Sequence, residues 1–338
     1  MRIEQPGVTR GGPKRPVADA PPRAPGSLRR TATIDSTRPD GWAGSVHVAA
    51  RARDLLTPRS GPPIVLATER FAAKLSPDRV LREIVHGDPR VRSLLGVAVA
   101  GGFRSRALEI FAEEAERCTL LNLLLDDLPG ASLVAGYALQ RDPAWPAKRV
   151  GFEDLRPMHD LCAGWAVDAT IFEVVRQDEA IPVPTTAPVP AVEDSDRDAW
   201  HARAELPPGG MRRARRLDVV ADDPAGATVG FDVHFRDSHR ETDGDGAVHE
   251  YTVHGRFAPA ARTIVSIEGD APALPWTECP GALASVPRLA GATTDGLRGR
   301  VRTDFTGTST CTHLNDVLRS LADLPVLAAR LESTHRMA

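Results

Sequence analysis

Cys311 and His313 stand two residues apart in GTSTCTHLNDVLRSL (307–321), just ahead of a run whose apolar residues fall at helical spacing. A thiol and an imidazole together bind transition metals, or pair as a nucleophile and its base. Upstream, Asp237 and His239 lie two apart in FRDSH, and Cys279 ends the strand-rich region. These are the donor types that zinc and iron take. The expected metal set is therefore Asp237, His239, Cys279, Cys311 and His313, with Zn or Fe held by Cys279, Cys311, His313 and one of Asp237 or His239. The spacing is long and irregular, without a CxxC pair. Two other readings use the same residues. Cys311 at a helix N-terminus is suited to act as a thiolate nucleophile in hydrolysis or acyl transfer, with His313, His239 and Asp237 as candidate partners. Cys311 and Cys118 are equally suited to pack as small buried hydrophobes at the start of equivalent helices. In that case the chain is a metal-free accessory protein that binds a small molecule or a partner protein. A further pair, His159-x-x-Cys162, lies in PMHDLCAGW (157–165). It reads as a connecting segment that docks Leu161, Cys162 and Trp165, and it adds a ligand if it docks beside the cluster.

The elements that must position these residues are strands first, helices last. ATVGFDVHFRDSH and VHEYTVHGRF alternate apolar and polar residues, as half-buried strands do, with turn residues ETDGDG between them. Matching apolar faces pairs Phe235 with Val253, Phe231 with Phe257 and His234 with His254. The inward faces then read Phe231, Val233, Phe235, Asp237, His239 and Phe257, Gly255, Val253, Tyr251, His249, so the buried side turns polar towards the hairpin tip. His234 and His254 point outward as a solvated stripe beside Asp232 and Arg256. In the last helix Leu314, Val317, Leu318 and Leu321 share a face. Thr312 is the expected N-cap with Asp316 in the first turn, and Pro325 kinks or ends the first helical run.

The chain also matches itself. RRTATID (29–35) aligns with RRARRLD (212–218), ARARDLL (50–56) with VHFRDSH (233–239), GGFRSRALEIF (101–111) with DGLRGRVRTDF (295–305), and CTLLNLLL (118–125) with CTHLNDVL (311–318). Asp54 then falls on Asp237 and Arg79 on Arg262, while Leu56 replaces His239 and Leu120 replaces His313. The expected fold is α+β: a tandem duplication of an antiparallel sheet with helices packed on one face. Residues 1–28 read as a disordered Pro/Gly/Arg-rich arm, 29–145 as a degenerate first copy, 146–208 as a connecting segment with a Pro-rich acidic linker, and 209–338 as the second copy with the site.

Bulk properties exclude several classes. The net charge of −3 gives no field for nucleic acid or an anionic membrane, and the arginines are scattered, as GC-rich codon usage gives. No apolar run approaches the ~20 residues that span a bilayer. Arg29-Arg30 is followed by polar TATIDS, which argues against an export signal. Four cysteines in 338 residues form no disulfide framework, and a cytoplasmic protein is expected. No GxGxxG, P-loop, HExxH or GxSxG occurs, so no nucleotide cofactor is implied.

The run ECPGALASVPRLAG…LRGRV…GTSTCTHLNDVLRSLADLPVLA, with RRxxxLDV and FRDSH upstream, resembles an uncharacterised bacterial family, domain of unknown function 2889. That family's Gly-Cys-Thr-His-Leu pattern has Thr310 in place of the glycine here, and the amino-terminal half is similar to its longer actinobacterial members. The resemblance implies no established activity. The order of sheet, Cys279, helices and a Cys/His pair is also loosely similar to iron–sulfur scaffolds of the NifU and IscU type, with the Cys/His order reversed.

Overall fold

Strict alternation sets the strands. In Val46–Thr57 the apolar Val46, Val48, Ala50 and Ala52 are buried and the residues between them half-buried, the period-2 pattern of a sheet with one apolar face. The structure, a computed structural model, describes residues 11–18, 20–142, 144–145, 151–178, 181–189, 196, 198–223 and 225–335. Nine strands are described: β1 (Ser27–Thr37), β2 (Val46–Thr57), β3 (Ile64–Leu75), β4 (Leu81–Val85), β5 (Ala187–Pro188), β6 (Met211–Val220), β7 (Val229–Arg240), β8 (Asp245–Ala258) and β9 (Thr263–Ala273). They form one sheet in the order β4-β3-β2-β1-β6-β7-β8, with both β5 and β9 on β8, and every pairing is antiparallel. The helices are α1 (Phe103–Ile110), α2 (Ala112–Glu116), α3 (Leu120–Val134), α4 (Gly136–Arg141), α5 (Thr170–Asp178), α6 (Leu297–Asp304), α7 (Thr312–Ser320) and α8 (Leu324–His335). The α+β expectation with an antiparallel sheet therefore holds. Of the two largest apolar clusters, one gathers residues of β1–β4 with α1 and α3, and the other gathers β6–β9 with α5–α8, the connecting segment and Leu28 and Leu56 of β1 and β2.

The two halves meet along β1 and β6, and this seam is built of arginine. Arg29, Arg30, Arg213 and Arg215 are at most 2% exposed. Burying a guanidinium is costly unless it is paired and fully hydrogen-bonded. Each has a carboxylate: Arg29 donates to Asp218, Arg30 to Asp54 and Asp323, Arg213 to Asp237 and Asp316, and Arg215 to Asp127, at 2.5–3.0 Å. The arginine content thus includes a buried ion-pair lattice that scattered codon usage did not suggest.

The sheet's other face carries Thr31 and Thr33, and it is covered rather than open. His201 lies across them, its two ring nitrogens each 2.9 Å from a threonine hydroxyl. Of the segment expected as a disordered arm, residues 1–10 lie outside the described residues. Residues 11–18 run beside the end of β9, where Arg15 N–H donates to Pro272 O and Leu274 N–H to Pro13 O, and Ser27 already opens β1. Val17 N–H donates to Glu250 Oε1 at 2.9 Å. This cover corrects the outward stripe: His254 is exposed, but His234 is buried and bonded to Glu250 at 2.9 Å.

Burial, with the charges of neighbouring arginines, holds the His201 imidazole down at about 3. Below the ordinary value of 6.5 the unfolded chain takes a proton there that the folded chain refuses. The His201 contribution to stability is therefore complete above pH 6.5 and is lost as pH falls towards 3, at up to ~1.4 kcal/mol per pH unit. Urea denaturation of wild type and His201→Gln between pH 7 and 5 checks this: the variant loses less stability over that interval.

Candidate metal and thiol site

β7 and β8 pair with Asp237 directly opposite His249 and Phe235 opposite Tyr251. The expected pairing was two residues out of step. A slip of two keeps the faces, so the inward residues were assigned to the correct side, but it changes the partners. The structure also places a β-bulge immediately after Asp237, a feature that re-aims side chains beside functional sites.

The first turn of α7 brings His313 onto this pair. The His249 and His313 rings stack, centroids 3.7 Å apart. His249 Nδ1 lies 3.5 Å and His313 Nε2 3.9 Å from the same Asp237 Oδ2. One donor atom from each residue falls within 4.8 Å of the others. Both imidazole nitrogens are buried and lack a hydrogen-bond partner. His249 and His313 are each 12% exposed, so the group lies just beneath the surface.

Arg213 fixes the carboxylate. Its Nε and Nη2 donate to the two Asp237 oxygens at 2.8 and 3.0 Å, while Nη1 reaches Asp316 at 2.6 Å. Burial opposes ionisation of Asp237, but the Arg213 charge, the neighbouring His249 imidazole and the hydrogen bonds from Arg213 hold its carboxyl well below the usual range. Asp316 was expected in the first turn of a helix capped by Thr312. Instead Cys311 is the N-cap, without a side-chain capping bond, and Asp316 is a buried ion-pair partner.

Cys311 lies on the far side of His313, with Sγ 3.6 Å from Nδ1. Asp237 therefore meets one nitrogen of the ring and Cys311 the other. The hydrogen bond from Cys162 draws the Cys311 thiol well below its ordinary value against burial, with help from His313. Burial presses the His313 imidazole down, but Cys311 and Asp237 outweigh it and raise it. Burial lowers His249, reinforced by the charge of His313.

Two more cysteines approach. The His159–Cys162 segment docks here: Ala163 N–H donates to Thr310 O at 2.9 Å, and the Cys162 thiol donates to the Cys311 sulfur and is itself pushed up by that bond and by burial. Cys279 opens the 3-10 helix Cys279–Leu289 and is raised by burial and by the Cys311 charge. It packs on Gly164, where a Cβ would fall 2.5 Å from Cys279 Sγ. His159 instead packs between Phe152 and Phe172, ring centroids 4.7 and 4.6 Å away.

Among the expected ligands, Asp237 and His313 come together with Cys311 against the opposite ring edge. His239 lies one step further along β7, Nδ1 3.1 Å from Glu241 Oε1 and edge-on to Tyr137. His249 was read as inward-facing but left out of the set; the true register is the signal that brings it in.

Residues 211–327 match a family model described as a protein of unknown function, DUF2889. The matched stretch carries Asp237, His249, Cys279, Cys311 and His313, so the resemblance read from ECPGALASVPRLAG and CTHLNDVLRSL holds there; Cys162 lies outside it. No curated protein and no solved structure matches the chain. Among the described residues no helix is long and apolar enough to cross a membrane.

Proposed function

We propose that the carboxy-terminal half binds one divalent transition metal, zinc or iron, through Asp237 Oδ2, His249 Nδ1 and His313 Nε2. The observation that carries this reading is the convergence of two orphaned, buried imidazole nitrogens on one carboxylate oxygen. Unpaired buried polar atoms are rare and costly, and a cation would satisfy both. Two histidines and one carboxylate are a donor set that leaves positions open for a substrate or water. A metal held this way supplies a Lewis acid or a water of lowered pKa. The protein's own residues would orient it. Arg213 fixes the carboxylate plane, and Asp316 balances the Arg213 charge so that the guanidinium does not repel a cation. Cys311 accepts from His313 Nδ1, which leaves Nε2 free for the metal, the usual service of an outer partner to a ligating histidine. On this reading Cys311, Cys279 and His239 are not ligands, and the scaffold-like order of the sequence supplies no convergent set.

Internal duplication fits this reading. Arg29 pairs with Asp218 and Arg212 with Asp35, a reciprocal exchange across β1 and β6. A bulge follows Asp54 as it follows Asp237. Arg30 grips Asp54 as Arg213 grips Asp237, and Arg79 and Arg262 both adopt positive φ, at 66° and 52°. Where Asp237 faces His249, Asp54 faces Ala67. The Arg–Asp grip belongs to the fold, and the histidines to one copy.

Elemental analysis of tag-free protein tests the proposal. About one zinc or iron per chain is expected in wild type and a small fraction of that in His249→Ala. No metal in wild type, even after exposure to either ion, defeats the metal reading. The row Cys311–His313–Asp237 then stands as a thiol with its base, read out by iodoacetamide labelling of Cys311 that slows in His313→Ala.

A further inference from the structure

We propose that Cys162 and Cys311 are a redox-active thiol pair, oxidised by a hydroperoxide to an intramolecular disulfide. The backbone sets the pair. The peptide joining Cys162 to Ala163 donates its N–H to the carbonyl of the peptide joining Thr310 to Cys311, at 2.9 Å. Both cysteines are extended, with φ, ψ of −160°, 176° and −141°, 140°. That single bond has the position of one of those that flank a non-hydrogen-bonded antiparallel pair, where facing Cα atoms stand ~4.5 Å apart, and it brings Cys162 beside Cys311. A disulfide accepts Cα separations of about 4.4–6.8 Å.

The surroundings of the pair are buried. The Tyr251 hydroxyl is fully buried without a hydrogen-bond partner. Cys162 and Cys311 are both buried, at 8% and 4% exposure, so the two thiols are nearer to each other than to bulk solvent partners. The structure holds the free thiols. The Cys311 sulfur attacks the terminal peroxide oxygen: an S–O bond forms, the O–O bond breaks, and the released oxygen takes the thiol proton and leaves as water from hydrogen peroxide or as the alcohol from an organic hydroperoxide. The Cys162 sulfur then attacks the sulfenic sulfur: the S–S bond forms, the S–O bond breaks, and water leaves with the Cys162 proton. The two thiols lose two electrons and the peroxide gains them. The connecting segment, which lies outside the matched family stretch, thereby becomes covalently tied to the site. The pair stands on backbone geometry, whether or not a metal occupies the neighbouring histidines.

The test is stoichiometric hydrogen peroxide on the full-length protein, followed by intact mass and peptide mapping under non-reducing conditions. Wild type is expected to lose two hydrogens and yield one linked peptide joining Cys162 to Cys311. Cys279→Ser is expected to give the same link. Cys162→Ser is expected to give none, and dimedone then labels Cys311. A wild-type link that contains Cys279 or Cys118 overturns the pair. So does over-oxidation of Cys311 without any cross-link while circular dichroism remains native.

Discussion

Arg213→Ala lowers the free energy of unfolding by about 3–5 kcal/mol, the cost of removing one partner from a buried ion pair. The guanidinium is 1% exposed and serves two carboxylates, Asp237 and Asp316, that are themselves buried. Alanine leaves both with their charges and fewer partners. Arg319 and Arg104 still reach Asp316, so Asp237 bears most of the loss. The two histidines beside it offer only longer contacts, at 3.5 and 3.9 Å. Arg262→Ala is the control: Arg262 pairs with Asp295 while half exposed, and an exposed pair is worth ~0–1 kcal/mol. Urea unfolding of wild type and the two variants, with unchanged denaturant slope, gives the comparison. A loss for Arg213→Ala as small as for Arg262→Ala contradicts the view that this seam depends on its ion pairs.

The second large effect separates ligands from the residues that orient them. On the proposed assignment, His313→Ala removes a donor and abolishes retention of a stoichiometric metal, whereas Cys311→Ser weakens it by about 10–100-fold, the usual cost of disturbing a ligand's outer partner. Cys279→Ser and His239→Ala leave affinity within a few-fold of wild type, because neither supplies a donor to the converging set. Competition against a chelator of known affinity, with circular dichroism as the check on folding, orders the four variants. If Cys279→Ser loses metal as completely as His313→Ala, the sulfurs are ligands and the assignment through Asp237 and His249 fails.

How much was legible in the sequence differs by residue. Period-2 alternation around Phe231, Val233 and Phe235 located β7 and its buried face, because alternation reports which side of a strand is dry. It could not give the partner of Asp237. A slip of two residues preserves every face, and the bulge after Asp237 is invisible to a pattern of polar and apolar letters. His249 was therefore on the correct face and yet absent from the candidate set. His239 was included because it lies on the same face, but the next rise of the strand carries it to Glu241 and Tyr137. The role of His234 was misjudged for a different reason: what covers the second face comes from residues near Val17 and His201, distant in sequence and short of any hydrophobic period.

By itself the sequence determined the local matters: strands then helices, the likeness of RRTATID to RRARRLD, and Cys311 with His313 at the entrance to α7. These are properties of neighbouring residues, fixed by backbone periodicity and side-chain type. Tertiary structure decided which nitrogen of His313 meets Asp237 and which meets Cys311, that Cys162 reaches Cys311 across half the chain, and that the arginines of β1 and β6 are buried beside their aspartates. Those outcomes depend on register, on ring orientation and on the docking of a connecting segment. Each is set by packing between residues far apart in the chain, where no sequence spacing constrains the distance.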